Sequence, residues 1–194
     1  MLFNDRLRLA ECGSTKDMIY VGWCYLHGDS VDQSVDEGLK WYFKAAAAGD
    51  PEAQVRLGEA FELGEGVSRN CDESWRFYEA ALSQESFHGY YAVAVSYYFG
   101  SGCRVRDVRR ALHFFDEAAR RGHVVSLIQS GRLRRSGSFG FMSRLVGVAV
   151  YPIGIARTLY CLVFARNGDS LWDSQRWLPR TASIDRIRKG TFFE

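Results

Sequence analysis

Apolar and small residues recur with helical spacing through the first 122 residues, in paired segments separated by short polar turns. In the clearest segment, Leu57, Gly58 and Phe61 fall on one face of a helix, where the glycine allows a second helix to approach closely. A glycine follows each first helical segment, and these glycines lie 36 residues apart: Gly28, Gly64 and Gly100. Glycine after the last helical residue favours a helix end at which this residue adopts the left-handed backbone conformation. The pattern predicts a series of helix–turn–helix pairs.

These helical pairs are three copies of one repeat, at residues 16–49, 50–86 and 87–122. The second helical segments also correspond, because Trp41 and Tyr42 are followed 36 residues later by Phe77 and Tyr78. A period of this length with two helices per unit is typical of a solenoid, in which each unit buries its apolar face against its neighbours. We therefore predict an all-α protein that offers a surface for holding partners.

The recurring residues resemble the Sel-one-like repeat (SLR) family, a subclass of tetratricopeptide-like repeats. Residues 53–61, 64–67 and 74–81 carry the resemblance in the second copy, and the matching glycine and aromatic-Ala-Ala positions carry it in the other two. It extends over about residues 16 to 137, because residues 126–133 are similar to a further first helix. The resemblance implies an α-solenoid domain at 1–137, with three full repeats and a partial fourth at 123–137.

Relatives of this repeat family act as scaffolds in signalling and in cell-envelope or polysaccharide assembly, so the resemblance implies a non-enzymatic adaptor of the bacterial type. In tetratricopeptide-like folds the first helices line a concave groove. The corresponding positions here are Trp23, Glu59, Glu62, Tyr91 and Tyr98. Tyrosine and tryptophan are favoured interface anchors, so we expect a protein or peptide partner to bind there. The alternative is that these residues fill a wide core.

The segment at residues 138–166 differs from the repeats, because residues 145–165 carry a single charge, Arg157. A transmembrane helix needs about 20 apolar residues, and an arginine near its centre costs about 2.5–3.5 kcal/mol. Pro152 interrupts the helical pattern before that arginine. We therefore favour a bent interfacial or monotopic segment over a transmembrane helix. A cap over the open end of the solenoid is the alternative.

Charge divides the chain in two, since residues 1–100 contain 8 basic and 16 acidic residues whereas residues 101–194 contain 17 and 7. The basic half adjoins the apolar segment, as expected for a chain that approaches an anionic membrane surface. Residues 167–194 form a basic tail with tryptophans, which are typical of the headgroup boundary. The residues that we predict to contact the membrane are Arg144, Tyr151, Pro152, Arg157, Arg166, Trp172 and Trp177.

Catalytic and metal-binding motifs are missing from the sequence. The four histidines share no metal-type spacing, and Cys24 with His27 is the one short Cys/His pair. We predict no catalytic, cofactor or metal site and no nucleic-acid partner. The predicted function is a cytoplasmic adaptor, peripheral or monotopic at the inner membrane. The alternative is a fully soluble cytosolic interaction module whose apolar segment caps the solenoid.

Overall fold

The computed structural model describes residues 3–101, 104–135, 146–148, 151–153 and 155–156 of the 194-residue chain. The helices within residues 3–135 are α1 (Phe3–Glu11), α2 (Thr15–His27), α3 (Val35–Ala47), α4 (Pro51–Leu63), α5 (Cys71–Ser83), α6 (Phe87–Phe99), α7 (Val108–Arg120) and α8 (Val124–Arg135). Residues 146–148, 151–153 and 155–156 are also helical, and none of the described residues lies in a strand. The predicted all-α class is confirmed.

The helices belong to two compact units. The first contains Met1–Ala92 with Ser101–Arg104, and the second contains Val93–Gly100 and the chain from Val105 onward. In the first unit, α2 packs on α3, α4 packs on α5, and α1 covers α2. The core of these pairs consists of Ile19, Leu39, Tyr42, Ala45, Ala53, Leu57 and Ala60.

Small residues set the distance between the paired helices of the first unit. A Cβ atom on Gly22 would lie 2.8 Å from the ring of Tyr42, and one on Gly58 would lie 2.4 Å from the ring of Tyr78. Real Cβ atoms essentially never approach other heavy atoms this closely, so glycine allows each aromatic ring to pack directly on the backbone of the first helix.

The ends of the helices follow the predicted pattern. Each first helix ends at a glycine in the left-handed region, with φ of 66° at Gly28, 77° at Gly64 and 66° at Gly100. The following second helices begin at residues whose side chains accept hydrogen bonds from backbone N–H groups: Ser34, Asn70 and Asp107. These caps satisfy N–H groups that a helix start leaves without intrahelical partners.

The second unit is built on α7 and α8, which pack together. Tyr97 of α6 stacks on Phe114 of α7, with ring centroids 5.7 Å apart. An ion pair between Arg134 and Asp116 joins α8 to α7. Aromatic stacking and charge pairing therefore hold the helices of this unit beside one another.

Helical residues after position 145 pack on α8. A Cβ atom on Gly131 would lie 2.9 Å from the backbone of Tyr151, and one on Gly147 would lie 2.8 Å from the carbonyl oxygen of Gly131. The guanidinium of Arg135 lies 4.4 Å from the ring centroid of Tyr151. The described part of the apolar segment therefore contacts the repeat region closely.

A membrane-spanning helix is not found among the described residues, where each helix is too short or too polar for that role. Most of the segment 138–166 and all of the tail 167–194 lie outside the described residues. The interfacial and capping alternatives for this segment therefore stay predictions, as do the domain limits at 137 and 166.

Candidate interaction surface

The polar face of α4 carries an ion-paired cluster. The guanidinium of Arg56 lies 3.1 Å from Oε2 of Glu59 and 3.9 Å from Oε1 of Glu52. Burial alone would lower the pKa of Arg56, but Glu59, Tyr42 and Glu52 together raise it above its ordinary value. Burial in turn raises the pKa of Glu59, and the charge of Arg56 opposes that rise. The cluster is therefore a shielded pair of opposite charges with a second carboxylate beside it.

Glu62 extends this face of α4 by one helical turn. The hydroxyl of Tyr78 donates a hydrogen bond of 2.7 Å to Oε2 of Glu62. Burial, and then the charges of Glu62 and Glu59, raise the pKa of Tyr78 well above its ordinary value, so the hydroxyl stays protonated. Glu62 therefore fixes the ring that packs on Gly58.

Tyr91 of α6 lies beside the same cluster. Its side chain is buried, with a relative exposure of 4%. Burial raises the pKa of Tyr91, the charge of Glu59 raises it further, and the charge of Arg56 opposes that rise. Tyr91 therefore packs inside the first unit in this structure, and a partner reaches it only if that packing opens.

Trp23 and Tyr98, the other two predicted groove residues, are partly exposed. Trp23 stacks on the imidazole of His27 one helical turn later, with ring centroids 4.4 Å apart. Tyr98 belongs to the second unit, where its ring meets Phe115 edge-on at 6.3 Å and lies 6.0 Å from the guanidinium carbon of Arg106.

The structure thus brings Glu59, Glu62 and Tyr91 to one cluster and places Trp23 on α2 and Tyr98 in the other unit. Their assignment to one partner groove stays a prediction. The residues predicted from the sequence to line the groove did not include Arg56, which organises the cluster. The signal was present, because Glu52 and Glu59 lie four and three residues from Arg56, at spacings that share a helix face.

Two of the residues predicted to contact a membrane, Tyr151 and Pro152, are described by the structure. Tyr151 packs against Gly131 and under Arg135, and Pro152 is exposed. The predictions for Arg144, Arg157, Arg166, Trp172 and Trp177 fall outside the described residues.

No group of side chains with the composition of a metal site occurs within the described ranges. The buried charged groups described above pair with one another and with tyrosine hydroxyls. This arrangement stabilises helix packing and shapes a polar surface.

Comparison with known proteins identifies the repeat. Residues 16–50, 51–86 and 88–123 match the Sel1 repeat. A Sel1 repeat protein from Oxalobacter formigenes is similar in fold, with a TM-score of 0.70 and 21% identity over 78% of this chain and 61% of that chain. The Escherichia coli protein c5321, a protective antigen of uropathogenic strains with an SLR fold, has a TM-score of 0.62 and 29% identity over 79% of this chain and 32% of that one.

The chitin synthase regulator SKT5 of Saccharomyces cerevisiae is 38% identical over 69 residues, which cover 34% of this chain and 10% of that protein. The chain thus matches about a tenth of SKT5 and about a third of c5321. The predicted SLR resemblance and the α-solenoid of repeats are confirmed. Because the matched repeats cover more than half of its residues, this chain belongs to the Sel1 repeat family.

Proposed function

We propose that this chain is a non-enzymatic adaptor that uses its solenoid to assemble a protein complex. Sel1 repeats generally mediate protein–protein interaction, and this family membership is the observation that carries the proposal. The described residues add support, because the charges of Arg56, Glu59 and Glu62 are paired within the helix packing of the repeats.

The complex is assembled at the cytoplasmic face of a membrane, with residues 138–166 as the membrane-associating segment. Support comes from exposed apolar side chains in the described part of this segment, where Val146 is 45% exposed and Ile153 is 59% exposed. Arg144 and Arg157 flank these side chains in the sequence. Apolar side chains between arginines suit the boundary between headgroups and acyl chains.

A second candidate is a fully soluble interaction module whose apolar segment caps the solenoid. The close packing of Gly147 and Tyr151 on α8 favours it, because a segment that belongs wholly to a lipid phase has no need of a tight protein contact. The two candidates differ in whether the outward face of the segment meets lipid or stays in water.

The pathway is proposed from the relatives. SKT5 is a chitin synthase regulator, and its match covers 34% of this chain and 10% of that protein. Together with the scaffold role of the family, this supports a complex in signalling or in cell-envelope and polysaccharide assembly.

Cross-linking in living cells, followed by purification of the full chain, tests the adaptor proposal. A specific partner is expected to co-purify, and capture is expected to fall when Trp23→Ala and Tyr98→Ala are combined. Arg76→Ala is the matched control, because the Arg76 side chain is 75% exposed on α5 and lies outside the predicted groove. Equal capture by all three proteins contradicts the groove, and absence of any specific partner contradicts the adaptor.

A further inference from the structure

The second helices of the three repeats expose a stripe of charged side chains to water. On α3 and α5 exposed ion pairs join residues three apart, Glu37 with Lys40 and Glu73 with Arg76. On α7 the pair at this spacing is Glu117 with Arg120, in which the Arg120 side chain is exposed and the Glu117 side chain is mostly covered. The stripe is therefore the face of each second helix that is built for solvent.

The described residues between 146 and 156 lie on α8 in the register of such a second helix. In the first repeat, Gly38 and Tyr42 follow Gly22 by 16 and 20 residues, and a Cβ on Gly38 would lie 2.9 Å from the Gly22 oxygen. The same two spacings separate Gly147 and Tyr151 from Gly131, and the corresponding Cβ–oxygen distance is 2.8 Å.

This register shows which side chains of the described residues between 146 and 156 occupy the positions of the charged stripe on the other second helices. Val146 corresponds to Glu37, Glu73 and Arg110, and Ile153 corresponds to Lys44, Ala80 and Glu117. Ala156 completes the series among the described residues. Val146 is 45% and Ile153 is 59% exposed, whereas the other second helices carry a charge at all three counterparts of Val146 and at two of the three counterparts of Ile153. We call Val146, Ile153 and Ala156 the apolar stripe.

A further repeat packed after the fourth one would not cover the apolar stripe. In the first unit, the following repeat covers the Leu39 position, since a Cβ on Gly66 would lie 2.7 Å from the Leu39 side chain. Val148 takes that position in the fourth register and is 55% exposed. A capping element of this chain would therefore cover Val148, whereas the stripe remains on the outer face.

The sequence on both sides of the apolar stripe is positively charged. Residues 118–168 contain no aspartate or glutamate and eight arginines, which are Arg120, Arg121, Arg132, Arg134, Arg135, Arg144, Arg157 and Arg166. Asp116 and Glu117 pair with three of these arginines, which leaves an excess of positive charge. An apolar face in a basic sequence is complementary to an anionic lipid surface.

We infer that residues 146–156 form the second helix of a fourth repeat and that its apolar stripe is the contact of this chain with an anionic lipid surface. The inference rests on the proposed function at the membrane and names its lipid-facing residues. Docking on α8 holds the helix parallel to the protein surface, so the stripe enters the headgroup region without crossing the bilayer.

Vesicle co-sedimentation of the full chain tests this inference. The protein is expected to pellet with phosphatidylcholine vesicles that contain phosphatidylserine and to bind pure phosphatidylcholine vesicles much less. Val146→Glu combined with Ile153→Lys restores the charges found at Glu37 and Lys44 without changing net charge. This variant is expected to bind at least about tenfold more weakly, with an unchanged thermal unfolding midpoint.

Val105→Gln is the matched control, because Val105 is an 86% exposed apolar residue outside the stripe, and its binding is expected to be unchanged. If the charged variant does not fold, Val146→Thr combined with Ile153→Thr replaces it. Equal vesicle binding by the stripe variants and the wild type overturns the inference. Failure of the wild-type protein to bind the vesicles also overturns the inference. If the wild type is then found to be a dimer that the stripe variants dissociate, the apolar stripe is assigned to contact with a second copy of the chain. Partner capture measured on the same proteins separates this outcome from failure of the adaptor proposal.

Discussion

Replacing Gly58 with alanine places a Cβ atom 2.4 Å from Cε1 and 2.6 Å from Cδ1 of Tyr78. The Tyr78 ring has little freedom to move away, because it is 3% exposed and its hydroxyl is held by Glu62 at 2.7 Å. Overpacking of a dense core costs about 1–3 kcal/mol. Alanine gains about 1 kcal/mol over glycine in helix propensity. Since the ring is fixed at both ends, we expect Gly58→Ala to destabilise the protein by about 1–2 kcal/mol.

The sign is expected to reverse when the ring is removed. Tyr78→Ala alone should cost about 3–5 kcal/mol, as for other large aromatic side chains truncated in a core. In that background Gly58→Ala meets no ring and should stabilise by up to about 1 kcal/mol. The double-mutant cycle therefore gives a coupling free energy of about 2–3 kcal/mol between the two positions.

Urea denaturation followed by circular dichroism measures the four proteins of this cycle. Ala94 of the third repeat is the internal reference, because it occupies the position of Gly58 and its substitution by glycine should destabilise by about 1 kcal/mol or more. If Gly58→Ala stabilises the wild type, the close approach of ring and backbone does not control packing in these repeats.

Three further predictions concern single residues. Burial lowers the pKa of His123 to about 4 from an ordinary 6.5, so between these values the imidazole binds fewer protons in the folded than in the unfolded state. The free energy of unfolding should therefore fall by about 2 kcal/mol from pH 7.5 to pH 5, and His123→Asn should flatten this pH dependence. Asp50→Ala should cost about 1 kcal/mol in urea denaturation, because the Asp50 carboxylate caps α4 through the N–H groups of Glu52 and Ala53. Tyr91→Ala should lower the thermal unfolding midpoint, since the side chain is buried; an unchanged midpoint would show that its packing contributes nothing.

The repeats were predictable from sequence because local backbone geometry requires glycine at fixed positions of each copy. Gly28 and Gly64 end helices in the left-handed region, and that backbone requirement acts at a fixed spacing in each copy. Helix packing needs a small residue at Gly58 for a similar reason. These constraints are local in sequence, so their period reveals the fold directly.

The polar cluster on α4 was harder to predict, because burial depends on several helices at once. Glu59 and Glu62 were predicted from the sequence to line a partner groove, and in the structure Arg56 and Tyr78 pair with them. Tyr91 was predicted for a groove, and its 4% exposure depends on the packing around it rather than on its position in the repeat. The pairing of Tyr78 with Glu62 joins α5 to α4 and has no fixed sequence spacing, so it gives no periodic signal, whereas the Arg56–Glu59 pair lies within α4.

The spacing of a fourth second helix is present in the sequence, but the apolar composition of the segment obscures it. The spacings from Gly131 to Gly147 and Tyr151 repeat those of the first copy. The charged stripe that marks α3, α5 and α7 is replaced by apolar residues, and a nearly uncharged run is typical of a membrane segment. Composition therefore indicated a different kind of element, whereas the contacts on α8 follow the spacing of the repeats.

Membrane fractionation of cells that express the full chain tests the account most directly. The membranes are washed with high salt and then with alkaline carbonate, and the chain is followed in pellet and supernatant. An adaptor held by an apolar stripe is predicted to remain with the membranes after the salt wash. Recovery in the soluble fraction, or complete release by salt, would contradict the apolar membrane contact and favour the soluble interaction module.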